Sequence, residues 1–151
     1  MRVFENLAEL ANCVGEEIAV SDWIDVTQER IDAFAHATGD HQWIHVDAER
    51  AAKGPFGGTI AHGYLTLSML PMFMVSAIEL RGVRMSVNYG LNRVRFPAPV
   101  PAGSRLRARV RVASVEDIGN GGLQIVTEAT IEREGGDKPV CIAETVARRY
   151  A

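Results

Sequence analysis

Apolar and polar residues along this chain follow one period up to about residue 80 and another beyond it. In the later part, four runs alternate in the strand manner: Val83 to Phe96, Ser104 to Asp117, Leu123 to Arg133 and Pro139 to Tyr150. The sharpest is Arg105-Leu-Arg-Ala-Arg-Val-Arg-Val112, with arginine at every odd position and an apolar residue at every even one, so one face is wet and the other packs inward. Gly119-Asn-Gly-Gly122 and Glu134-Gly-Gly-Asp137 separate these runs and suit hairpins.

The earlier part reads as one strand followed by helices. Ile18 to Val26 mixes β-branched and polar residues, and Thr27 then caps a helix whose apolar positions Ile31, Phe34, Ala35 and Thr38 recur at helical spacing. Gly39 suits a left-handed helix end. Asp47 caps a short helix from Ala48 to Lys53, closed by Gly54-Pro55, and Phe56-Gly-Gly-Thr59 is a loop by composition. A third helix starts near Gly63 and runs to Leu80, apolar on most of its surface, as expected of a helix that other elements wrap. Pro71 removes one hydrogen bond from it and predicts a kink near Leu67. Met69, Met72, Met74 and Phe73 read as core, with a share in any channel beside the helix as the alternative. The expected architecture is α+β, an antiparallel sheet wrapped around one long central helix, in a single domain spanning residues 1–151.

Composition narrows the function. The formal net charge of -3 gives no electrostatic case for nucleic acid or an anionic membrane as partner. Cys13 and Cys141 match no metal-ligand spacing and read as buried thiols in a reducing compartment. The N-terminus is acidic where a signal peptide is apolar, and the most apolar run, Leu67 to Ile78, is too short to span a bilayer, so a soluble cytoplasmic protein is expected.

Candidate chemistry concentrates where the Thr27 helix ends. Phe34-Ala-His-Ala-Thr-Gly-Asp40-His-Gln-Trp-Ile-His45 presents a carboxylate and an imidazole on one short loop, a spacing that lets both meet one water molecule. Alone, such a spacing is common by chance and more often marks a helix-stop aspartate and a partly buried histidine. His36, His41 and His62 could stand beside His45 around zinc, but no metalloprotease-type glutamate or cysteine ligand accompanies them, and no metal is expected. His36 reads as a surface residue and His62 as one that shapes its loop. The arginine row reads as a solvated face, with coenzyme A phosphates as the alternative.

Read together, Phe34 to His45, Ile60-Ala-His-Gly63 and Asn88-Tyr-Gly-Leu-Asn-Arg-Val-Arg-Phe-Pro-Ala-Pro-Val100 resemble the MaoC-like dehydratase family, a hot dog fold group that includes (R)-specific enoyl-CoA hydratases, and within it the NodN-like branch. The likeness covers nearly the whole chain. The family signature is a glycine and aspartate, any residue, Asn-Pro, an aliphatic residue and histidine. Gly39, Asp40, Ile44 and His45 match it, while Gln42 and Trp43 replace Asn-Pro. The resemblance implies a hot dog fold, with Asp40 and His45 as catalytic residues adding water to a trans-2-enoyl-CoA to give an (R)-3-hydroxyacyl-CoA in fatty acid metabolism. It implies that the Gly63 backbone N–H serves as the oxyanion donor, and that Ile60, Ala61, His62, Gly63, Asn88 and Tyr89 line the substrate channel. No cofactor is expected beyond the coenzyme A of the acyl-CoA substrate, and a homodimer is expected from the edge strand that a small curved sheet leaves open. The competing readings are an acyl-CoA thioesterase on the same fold, and a non-catalytic acyl-thioester binding protein or partner subunit of a dehydratase.

Overall fold

The computed structural model describes residues 1–151. In chain order its elements are β1 (Arg2–Phe4), α1 (Leu7–Ala11), β2 (Glu17–Val20), β3 (Ile24–Val26), α2 (Gln28–Thr38), α3 (Trp43–Val46), α4 (Ala48–Ala52), α5 (Gly63–Ser68), α6 (Leu70–Ala77), β4 (Ile78–Leu80), β5 (Met85–Arg95), β6 (Ser104–Gly119), β7 (Gly122–Arg133) and β8 (Cys141–Tyr150). The large sheet is antiparallel in the order β2-β6-β7-β8-β5, with β3 also pairing to β6. This is the hot dog arrangement, the sheet curving around α5 and α6. No helix is long and apolar enough to cross a membrane.

The alternation along β6 and β7 places its apolar half in the core. Leu106, Ala108, Val110, Val112, Ile125, Ala129 and Ile131 are buried, facing Leu65, Met69, Phe73 and Ala77 from the helices. The opposite face carries the arginine row, and carboxylates on neighbouring segments meet each guanidinium. Arg105 pairs with Asp25 and Glu134, Arg107 with Glu132, Arg109 with Glu132 and Glu17, and Arg111 with Glu128. The row is therefore a paired solvated face, and its charges are already matched. The β6–β7 turn has φ of 54° at Asn120 and 71° at Gly121, the paired left-handed residues that a two-residue hairpin requires. Cys13 and Cys141 are free and buried, and burial pushes the Cys141 thiol up to about 11.

Three expectations are corrected. The strand expected over Ile18 to Val26 is two strands. At the break the Ser21 hydroxyl, rather than a backbone carbonyl, accepts from Ala108 N at 2.9 Å, and Asp22 N turns to Ser76 Oγ at 3.3 Å. The helix expected over Gly63 to Leu80 is interrupted at Met69 and ends at Ala77. Pro71 thus lies in the first turn of a new helix, where its missing N–H has no partner to lose. Its last residues, Ile78 to Leu80, instead pair in parallel with Arg2 to Phe4, a strand the sequence pattern did not predict.

Candidate active site

Two local signals in the sequence fix where Asp40 emerges. Thr27 caps α2 by accepting from Arg30 N at 3.1 Å, and Gly39 ends it with φ of 78°, donating to the Ala35 carbonyl. The left-handed residue turns the chain out of the helix, and Asp40 follows it at once. Its Oδ1 accepts from Gln42 N at 3.3 Å, and its own N–H reaches Thr38 Oγ1 at 3.4 Å. The Asp40 side chain stays 52% exposed.

His45 sits on α3, a four-residue helix that the sequence pattern did not reveal. So short a helix has no stability of its own, so surrounding contacts must hold it. The Ile44 carbonyl accepts from Ile60 N at 3.0 Å, and the His45 carbonyl accepts from Gln28 Nε2 at 2.7 Å. Gln28 in turn accepts from Thr59 Oγ1 at 2.5 Å, tying the first turn of α2 to the segment before α5. Trp43 packs its ring against Gly54, where an added Cβ would lie 3.0 Å from the indole, and beneath the Arg50 guanidinium at 4.4 Å. Packing therefore stiffens a loop that lacks the fixed φ of proline. Gln28 and Thr59 carried no sequence signal, being ordinary polar residues whose importance comes from residues 17 and 31 positions away.

The His45 ring is buried, and its Nδ1 lies 2.7 Å from the Ile60 carbonyl. A carbonyl only accepts, so this contact places a hydrogen on Nδ1 and leaves the Nε2 lone pair free. Burial pushes the imidazole pKa below the ordinary 6.5; the neighbouring His62 adds to this, while the Ile60 carbonyl and Asp40 oppose it. His62 is more deeply buried. It stacks on His45 with centroids 3.8 Å apart, touches Phe34 on a tilted contact at 4.8 Å, and reaches the Asp40 carbonyl through Nε2 at 3.0 Å.

Asp40, His45 and His62 bring one ligand-type atom each within 4.8 Å of the others. One water molecule bridges a gap of that size. The same three groups are the candidate metal ligands, but their geometry suits a metal poorly. Imidazole lone pairs lie in the ring plane, and two rings stacked at 24° send theirs along nearly parallel planes rather than toward one ion. Nδ1 of His45 and Nε2 of His62 are also committed to carbonyl oxygens.

The remaining sequence candidates divide between two cavities. Ile60, Ala61 and Gly63 line one of about 330 Å³ with Phe56, Phe96 and Val140. Asn88 and Tyr89 lie instead in one of about 650 Å³, between β5, β8 and one side of α5 and α6. His62 lines neither, since its ring is enclosed. Gly63 is the first residue of α5, so its N–H has no intrahelical partner. An added Cβ on Gly63 would meet the Phe96 ring at 3.1 Å, so any side chain there requires that ring to move.

A family model described as "MaoC like domain" matches residues 9–134. The chain is 55% identical over 151 residues to 3-hydroxyacyl-thioester dehydratase Z of Mycobacterium tuberculosis, covering 100% of both. It is 46% identical over 143 residues to Nodulation protein N of Rhizobium leguminosarum bv. viciae, covering 93% of this chain and 89% of that one. Its fold is similar to a solved structure described as a monoamine oxidase regulatory protein from Archaeoglobus fulgius, with a TM-score of 0.80 and 26% identity, covering 99% of this chain and 97% of that one.

Proposed function

The chain belongs to the MaoC-like domain family of dehydratases, and on that premise we propose that it is an (R)-specific enoyl-CoA hydratase, interconverting trans-2-enoyl-CoA and (R)-3-hydroxyacyl-CoA. The observation that carries this reading is the Asp40 carboxylate and the His45 imidazole within 4.8 Å of each other, the ring held by Ile60 with its Nε2 lone pair free. In the hydration direction the water oxygen bonds to the β-carbon and gives up a proton to this pair, and a proton from the pair goes to the α-carbon. Dehydration reverses both transfers. The 55% identical relative is named as a 3-hydroxyacyl-thioester dehydratase, which supports a hydro-lyase acting on a thioester.

Negative charge grows on the thioester oxygen as the β-carbon is attacked, and the Gly63 N–H at the start of α5 is the proposed donor to it. Ile60 and Ala61 beside Gly63 are the proposed walls around the reacting end, and the larger cavity with Asn88 and Tyr89 the proposed space for the acyl chain. A second copy of this chain is the proposed partner. β5 pairs only with β8 and leaves its other edge open, and Met85, Val87, Tyr89 and Leu91 along it are exposed apolar residues.

The test is incubation of the purified protein with crotonyl-CoA and longer trans-2-enoyl-CoAs, following loss of the conjugated absorbance and the chirality of the product. Formation of the (R)-3-hydroxyacyl-CoA is expected. Release of free thiol without hydration would replace this reading with thioester hydrolysis, and a monomer by light scattering would remove the dimer.

A further inference from the structure

One side chain, His62, touches both members of the acid/base pair. Asp40 follows a left-handed turn on a half-exposed loop, and its other contacts, at 3.3 and 3.4 Å, are long for hydrogen bonds. Its shortest tie is from His62 Nε2 to its carbonyl, at 3.0 Å. The His45 ring is held at one edge by Ile60, and the His62 ring, stacked at 3.8 Å and 24°, covers one of its faces.

His62 itself has an unusual balance of contacts. It is 3% exposed, with Phe34 against it, and its Nδ1 is buried with no partner. An orphaned buried nitrogen costs free energy that an apolar ring in the same space would avoid. A histidine kept there points to the work of its other nitrogen. The acceptor facing Nε2 is a carbonyl, so the hydrogen belongs on Nε2 and the lone pair on the unpartnered Nδ1.

We propose that His62 is a positioning residue that keeps Asp40 and His45 in one working arrangement, its Nε2–H fixing the Asp40 main chain and its ring face fixing the plane of His45. It rests on the hydratase reading for its catalytic consequence but not for its geometry. His62 stands apart from the substrate-lining role that the resemblance implied, because its enclosed ring lines neither cavity.

Two variants separate the two contacts. His62→Phe keeps a flat ring against His45 and deletes the donor to Asp40; His62→Gln keeps a donor near the Nε2 position and deletes the ring face. Each is expected to lower kcat by about tenfold or more on crotonyl-CoA while KM stays within about twofold, since a small misplacement of acid/base groups acts on turnover. The second measurement is the His45 Nδ1–H resonance by nitrogen-edited NMR, expected to exchange with solvent faster in His62→Gln than in the parent. A folded His62→Phe with parental kcat, or with raised KM and unchanged kcat, would overturn the proposal. Should His62→Phe fail to fold, His62→Gln carries the same kinetic test. If the parent hydrates no enoyl thioester, the functional reading fails, and an unchanged Nδ1–H exchange rate in His62→Gln still overturns the positioning role.

Discussion

Replacing Gly63 with valine should act first on Phe96 and only through it on a substrate. A Cβ on Gly63 would lie 3.1, 3.1 and 3.2 Å from three ring carbons of Phe96. Nonbonded carbons rest at about 3.5–4.0 Å, so the ring must shift by a few tenths of an ångström even for alanine, and further for the branched side chain. Gly63 is not among the residues with positive φ, so no backbone strain is added. Overpacking of this kind costs about 1–3 kcal/mol, and the partly exposed Phe96 can yield, which favours the low end. At about 2–4 °C per kcal/mol for a chain of this size, Gly63→Val should lower Tm by about 2–4 °C in a thermal melt followed by circular dichroism. Phe96→Ala removes the obstruction. In the double variant the stability loss should be smaller than the sum of the two single losses, by about 1 kcal/mol. Hydration of crotonyl-CoA by Gly63→Val should fall mainly in kcat/KM, and recover in part in the double variant if ring displacement is the cause. Strictly additive Tm losses would refute the packing argument. A folded Gly63→Val enzyme working at the parent rate would show that the Phe96 ring yields without disturbing the reacting end of the site.

Asp40→Asn and His45→Gln should each reduce kcat by at least about 10²-fold with the fold intact by circular dichroism; near-normal turnover in either removes that residue from the chemistry. Exhaustive chelation should leave hydration unchanged and elemental analysis should find no stoichiometric zinc, because the stacked rings of His45 and His62 do not aim at one ion; activity lost to chelator and restored by zinc would reverse this. Burial holds the His45 pKa below 6.5 in the folded protein, so between the two values the unfolded chain binds the extra proton. The stability this contributes is complete above about pH 6.5 and is lost as pH falls through the lowered folded value, so Tm should decline less between pH 7 and pH 5 in His45→Gln than in the parent; parallel declines would contradict it.

Elements written in local chemistry were legible from the sequence. Thr27 and Gly39 bound α2 because capping is settled within three or four residues, and Asn120-Gly121 makes its turn because those two residues tolerate positive φ. The alternation in Arg105 to Val112 assigned a wet and a dry face in advance, since side chains on a strand must alternate. Gly39, Asp40, Ile44 and His45 marked the proposed acid/base pair for the same reason: a short loop keeps its members near each other wherever it goes. What lay beyond local chemistry was every contact between distant segments. Ile78 to Leu80 continue a helical pattern, yet they pair with Arg2 to Phe4, because a sheet partner exists only after the chain has closed. The four-residue α3 has too few internal hydrogen bonds to announce itself and exists because Ile60, Gln28 and Gly54 receive it. His62 sits 17 residues from His45 in the chain and 3.8 Å from it in space, ring centre to ring centre, and Phe96 covers Gly63 from 33 residues away. Side-chain stacking and close packing depend on coordinates that no single stretch of sequence contains, so the proposed pair was readable from its loop while the side chains packed around it were decided by the tertiary fold.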